Sequence, residues 1–272
     1  MKIEPLSSAL GARVSGLDLP SASPDTLIKL RELWLDRLVV VVSGPVLGDD
    51  DFVAFAEGFV DGFGTIRETR LQSRLSTRRE IKVISNIREG GVALGDLPDG
   101  EMSFHYDMIY YDRPNRAGVL QAVEIPSTGG DTCFSNACLA YERLPEKTKQ
   151  KLEGLTALHT YSYGTTIANE KQSNPQAPRA SHPLVRTIPE TGRKALYLCR
   201  LMTDRINELN ESESRQLLDD LFDHVERPEY TYRHTWSVGD LLIWDNHCTV
   251  HARTDFSPEE RRLLKRLTIN AP

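Results

Sequence analysis

The chain has 272 residues, 39% of them hydrophobic and 26% charged, with a formal net charge of −6. This is the balance of an ordinary soluble protein with ample material for a buried core. Its acidic charge is spread along the chain, which argues against nucleic acid or an acidic membrane as the main partner, and the basic stretches RLSTRREIK (74–82) and RRLLKR (261–266) read as local patches.

Four cysteines without a CxxC pair or zinc-finger spacing point to reduced thiols and a cytoplasmic protein. The stretch MKIEPLSSALG lacks the apolar core of a signal peptide, and the longest aliphatic run, LVVVV (38–42), is too short to span a bilayer but right for a buried strand.

In chain order, SPDTLIKLRELWLDRL (23–38) predicts a helix with Ser23 as cap and Pro24 at its first position, feeding into the LVVVV strand. DDDFVAFAEGFVDGFG (49–64) predicts a second helix, acidic at its start and stopped by Gly62 and Gly64. SNACLAYERLP (135–145) and ESESRQLLDDLFDHV (211–225) also read as helices. Strands are expected at 81–87, 116–125, 195–201, 230–236, 240–246 and 266–270. Their irregular spacing argues for a mainly β protein, an antiparallel sandwich or barrel with helices packed outside. No linker divides the chain, so one domain over 1–272 is expected, with polar loops at 88–101 and 164–181 as candidate lids.

The stretch FHYDMIYYD (104–112) puts His105 and Asp107 two residues apart, on one face if the segment is a strand. Such a pair is either a satisfied polar contact or two ligands of a metal. Near the other end, WDNHCTVH (244–251) supplies His251, which would complete a two-histidine, one-carboxylate set of the kind that leaves coordination positions of Fe(II) open. His247, four residues earlier, sits after a strand-like run and a turn, and it is left out of that set. Arg262 and Arg266 follow on a strand re-entering the core. Arginines in a dry pocket require an anion, which points to a dicarboxylate cosubstrate. The competing reading pairs Arg262 with Glu259 or Glu260 at the surface.

With these residues in view, the sequence resembles the taurine dioxygenase / 2,4-dichlorophenoxyacetate dioxygenase (TauD/TfdA) family of Fe(II)- and 2-oxoglutarate-dependent oxygenases. The likeness runs through PLSSALGARVSGLDL (5–19), the FG at 63–64, HYD, STGGDT (127–132), WDNHCTVH and RRLLKR. It implies a double-stranded β-helix (jelly-roll, cupin-like) core. It implies His105, Asp107 and His251 as iron ligands, Thr132 and Arg262 on 2-oxoglutarate, and Arg266 on the cosubstrate or substrate. It also implies O2 as oxidant, with release of succinate and CO2 as a C–H bond is oxidised. Hydroxylation is the expected outcome; desaturation or another oxidative rearrangement is the alternative within the family.

Taurine dioxygenase holds its sulfonate with a histidine after the FG. TIRETRLQSRL (65–75) has none, so taurine is not the expected substrate. A small carboxylate-bearing metabolite is expected instead, with Tyr106, Tyr110, Asn86, Glu101 and Arg253 as candidate contacts. A non-catalytic jelly-roll module holding Zn(II) or a small ligand is the competing class, opposed by the arginines and Thr132. The N-terminal helix and the 135–153 segment are the candidate surfaces of a homo-oligomer.

Overall fold

The computed structural model describes every residue except 70, 71, 97–99, 162–165, 169–173 and 272. Two antiparallel sheets face each other. The larger runs, in spatial order, through Lys2–Pro5, Ala12–Ser15, Val39–Val42, Leu241–Asp245, Asn115–Glu124, Leu263–Asn270 and Thr65–Ile66, and Lys82–Ser85 also pairs with Leu263–Asn270. Its one parallel pairing joins Ala12–Ser15 to Val39–Val42. The smaller sheet is Thr231–His234, Thr132–Asn136, Thr249–Arg253 and Met102–His105. Strands adjacent in this smaller sheet are far apart along the chain, as in the expected jelly-roll.

Three apolar layers follow from strand alternation. Between the sheets lie Val39, Val41, Ala122, Phe134, Leu242, Trp244 and Leu264. On the outer face of the larger sheet, Val40, Val42, Val119, Ile243 and Ile269 pack beneath the helices Pro24–Arg37 and Asp49–Val60 through Trp34, Phe52 and Phe59. The VVVV run is buried on both faces, which is why it is apolar throughout rather than alternating. A third layer, behind the smaller sheet, is closed by the helices Ala137–Glu142 and Glu211–Val225.

The first helix begins as its sequence predicts, with Ser23 accepting from the Thr26 amide and Pro24 at the first position. Other boundaries move. The second helix ends at Val60, ahead of both glycines, and Ser135 and Asn136 belong to a strand before Asn136 caps the next helix. Of the expected strand 195–201 only Lys194–Leu196 pairs, and Leu198, Cys199, Leu201 and Met202 beyond it turn inward as buried core. Residues 88–93 form a small hairpin, and 179–181 start the strand Arg179–Pro183, so each predicted loop is shorter than expected; residues 97–99, 164, 165 and 169–173 of those loops lie outside the described residues. No described helix is long and apolar enough to cross a membrane.

Candidate metal centre

His105 is the last residue of its strand and lies directly across from His251 on the neighbouring one. The rings stand 4.1 Å apart between centroids. Across the same sheet His251 is in register with Phe134, and Arg253 with Thr132. In antiparallel pairs opposite residues share a face, so His105, His251, Thr132 and Arg253 all point between the sheets.

Asp107 joins them by another route than strand alternation. The strand stops at His105, and Asp107 opens a turn. Asn246 fixes that turn: its Oδ1 accepts from the Asp107 amide at 3.0 Å and its Nδ2 donates to the Asp107 carbonyl at 3.0 Å. Met108 next to it holds φ +58°, a left-handed conformation uncommon outside glycine and often found beside functional groups. The result places the Asp107 carboxylate 3.8 Å from His105 Nε2 and 3.5 Å from His251 Nε2. One ligand atom from each of the three buried residues falls within 4.8 Å of the others, a cluster that can hold a metal ion.

The electrostatics suit that task. Burial, only partly opposed by Asp107, holds His105 below the ordinary imidazole range. Burial and the neighbouring His105 push His251 well below it. Both rings are therefore neutral and carry lone pairs. His105 Nδ1 lies 3.0 Å from the Ser103 carbonyl, which fixes the proton there and leaves Nε2 to face the cluster. Burial alone would raise the Asp107 carboxyl, but the Arg266 guanidinium, by its charge and its hydrogen bonds, outweighs it and holds it well below the usual carboxylate range.

A second polar group centres on Arg262. Arg262 is buried, yet forms no salt bridge among the described residues. Its Nη2 donates to the Gly130 carbonyl at 3.1 Å, its Nε has no partner, and its fork lies 5.5 Å from the Phe256 ring. Burial and nearby Arg253 push its guanidinium below the usual range. The surface pairing with Glu259 or Glu260 is absent, because the Glu260 carboxylate is taken by the Ser127 amide and hydroxyl. The two glycines of STGGDT make room: at φ +77° and +66°, a Cβ on Gly129 would stand 2.3 Å from the Asp255 carbonyl, and one on Gly130 would stand 3.0 Å from Arg262 Nε. Thr132 Oγ1 accepts from the Trp236 indole at 3.1 Å, which leaves the hydroxyl proton to be donated onward.

Several sequence-stated contacts sit elsewhere than expected. Arg266 reaches Asp107 with both arms, at 3.1 and 2.6 Å, rather than an open anion site. Tyr106 is fully buried on the opposite side and donates to the Leu196 carbonyl at 2.8 Å, so strand alternation removes it from the substrate face. Tyr110 is buried in an aromatic group, stacked on Tyr161 at 5.0 Å. Asn86 is occupied by backbone: it donates to the Pro258 and Glu260 carbonyls and accepts from the Arg262 amide at 2.9 Å. It therefore braces the loop carrying Arg262 instead of facing a substrate. Glu101 is exposed, just ahead of the strand Met102–His105. Arg253 faces the interior and donates from Nε and Nη2 to the Gly100 carbonyl. His247 is buried away from the cluster, among Arg186, Arg116 and His182.

Sequence reasoning missed Asn246, read only as a turn residue, and Arg67. Ile66 is in register with Ile269 on the helix side of the larger sheet, so Arg67, the next residue, turns to the Arg266 side. Its Nη1 lies 3.2 Å from Met108 Sδ. The alternation within TIR carried that signal.

Comparison with known proteins agrees with this geometry. The family model described as "Taurine catabolism dioxygenase TauD, TfdA family" matches residues 2–268. The chain is 36% identical to pentalenolactone F synthase of Streptomyces arenae, covering 98% of this chain and 94% of that one. It is 34% identical to the alpha-ketoglutarate-dependent 2,4-dichlorophenoxyacetate dioxygenase of Cupriavidus pinatubonensis, covering 97% and 96%. A crystal structure of a taurine dioxygenase from Burkholderia xenovorans superposes with a TM-score of 0.82 at 30% identity, covering 100% of this chain and 91% of that one. The structure of AAD-2 in complex with Mn(II) and N-oxalylglycine superposes with a TM-score of 0.83 at 26% identity, covering 100% and 98%. A family match over nearly the whole length, on a fold that assembles the buried His–Asp–His cluster, shows that the chain is an oxidoreductase belonging to the TauD/TfdA family of dioxygenases.

Proposed function

We propose that this protein is an Fe(II)- and 2-oxoglutarate-dependent dioxygenase that oxidises, by hydroxylation, an unactivated C–H bond of a small carboxylate-bearing metabolite. His105, Asp107 and His251 would hold the iron. Bound iron with 2-oxoglutarate supplies the activation of O2, with succinate and CO2 as by-products. Arg262 is the observation that carries the reading: a buried guanidinium with an unpartnered Nε and no carboxylate among the described residues leaves a place for one. A dicarboxylate held there by Arg262 and the Thr132 hydroxyl would present its other end to the His–Asp–His face. A related fold in complex with Mn(II) and the dicarboxylate N-oxalylglycine supports this pairing of metal and diacid.

The chain's own residues would do the rest. Neutral imidazoles and an ionised Asp107 need lose no proton on binding a cation. Phe134, Trp244 and Phe256 line the surroundings and keep water out. Arg253 and Arg67 are the candidate holders of a substrate carboxylate. Closure falls to the segments 88–101 and 164–181, of which Thr166 and Ala168 already bond to Ser103, two residues before His105. Four free cysteines, three of them buried, fit a cytoplasmic enzyme.

The test is succinate formation from 2-oxoglutarate with Fe(II) and O2 across a panel of small carboxylates. Stimulation by one of them, lost in His105→Ala, supports the reading. No succinate from folded, iron-loaded protein with any of them would leave the non-catalytic binding module as the better account.

A further inference from the structure

The turn that begins at Asp107 also forms part of a second cleft, on the opposite side of Tyr106 from the metal cluster. It is a half-open cleft of about 470 Å³, and its polar lining is Asp112, Arg113, His182, Arg186 and Tyr197. That volume is within the range of small-molecule sites.

Three features mark it as built for a ligand. First, Tyr197 is fully buried, and its hydroxyl, which faces the Arg186 guanidinium, has no acceptor for its proton among the described residues, a costly arrangement unless something else accepts from it. Second, the Arg186 guanidinium stands 5.0 Å from the Tyr197 ring, and neither Arg186 nor Arg113 forms a salt bridge among the described residues. The nearby acid Glu190 is held by Arg116, which also grips Asp245. Third, His182 is committed to the wall: its Nε2 lies 2.9 Å from the Ile109 carbonyl and 3.0 Å from that of Tyr111. Behind it the buried His247 has neither ring nitrogen bonded. The lining thus offers two cationic forks and a phenol donor against one exposed carboxylate, Asp112.

We infer that this cleft binds a small oxyanion, a carboxylate or phosphate group, with Arg186 and Arg113 meeting its charge and the Tyr197 hydroxyl donating to it. Arginine forks match the planar or tetrahedral oxygens of such groups. Pro114 and Pro183 at the rim favour a compact ligand with an apolar edge. The site uses none of the residues assigned to iron or 2-oxoglutarate and stands independently of that assignment.

The experiment is calorimetric titration of the metal-free full chain with inorganic phosphate and, separately, with succinate. Four proteins are compared: wild type, Arg262→Gln, and Arg262→Gln combined with either Arg186→Gln or Tyr197→Phe. The Arg262→Gln protein removes the anion corner of the metal centre and is expected to retain one anion site. Adding Arg186→Gln should weaken that site about 10-fold or more, and Tyr197→Phe about 3- to 10-fold, the range for hydrogen bonds to a charged group. Tyr197→Phe deletes only a hydroxyl whose proton has no acceptor in the protein, so it should fold with nearly unchanged thermal stability and guards against a misfolded Arg186→Gln. Binding of phosphate alone, succinate alone or both tells which oxyanion the cleft takes. The proposal is overturned if neither anion binds wild type, if Arg262→Gln abolishes all binding, or if the residual binding ignores both cleft substitutions.

Discussion

Arg266 holds the Asp107 carboxylate with both arms of its fork, Nη1 to Oδ1 at 3.1 Å and Nη2 to Oδ2 at 2.6 Å, while its plane lies over Trp244. The carboxylate assigned to iron is thus ionised and aimed before any cation reaches it.

Removing that partner leaves a buried carboxylate beside two neutral imidazoles. Arg266→Gln should destabilise the metal-free protein by about 3–5 kcal/mol, the usual cost of breaking a buried pair from one side. A divalent cation would then replace the lost charge. Calorimetric melting with and without Mn(II) should show a larger metal-induced rise in the variant than in wild type.

Arg262→Gln has the opposite signature. The guanidinium is desolvated without a carboxylate, so its loss should leave thermal stability unchanged or raised. Affinity for 2-oxoglutarate should fall by about 100-fold, in line with truncation of one partner of a buried charge pair. Equilibrium binding to the metal-loaded, oxygen-free protein measures it.

Asn86→Ala should act through Arg262. Three hydrogen bonds to the 258–262 backbone disappear, freeing the loop while the guanidinium itself remains. The KM for 2-oxoglutarate should rise about 10-fold with kcat nearly unchanged. Equal falls in kcat and kcat/KM would assign Asn86 a different task.

The histidines set an acid limit. His105 and His251 have folded-state values depressed mainly by burial, so below about pH 6.5 the unfolded chain binds more protons than the folded one. Their contribution is fully present above that point and is lost as pH falls toward the depressed values. Metal-free stability should therefore decline on acidification below about pH 6.5, each ring contributing up to about 1.4 kcal/mol per pH unit. His251→Gln should flatten the decline by one proton's worth in urea unfolding followed across pH.

Much of this was legible in the sequence because strong local chemistry was present. The Ser23–Pro24 start, the VVVV strand and the ordered motifs HYD, STGGDT and WDNHCTVH each carry their own physical signature. Just ahead of the final strand, Arg261 turns outward to Glu124 while Arg262, for which the sequence left a surface alternative open, turns in. What escaped depended on distant backbone. Asp107 reaches the histidines through a turn clamped by Asn246, 139 residues away. Asn86 became a brace because the 258–262 loop lies against it. Tyr106 is tied into the core by the Leu196 carbonyl, 90 residues away. Edge strands such as Lys2–Pro5 are exposed throughout and show no alternation to read.

The most direct test of the central claim is anaerobic titration of the metal-free protein with Fe(II) and then 2-oxoglutarate, followed by visible absorption, with His251→Ala alongside. The account predicts a weak metal-to-ligand charge-transfer band that appears only when both are present and is missing in the variant. Folded wild-type protein that binds Fe(II) and 2-oxoglutarate without developing the band would contradict it.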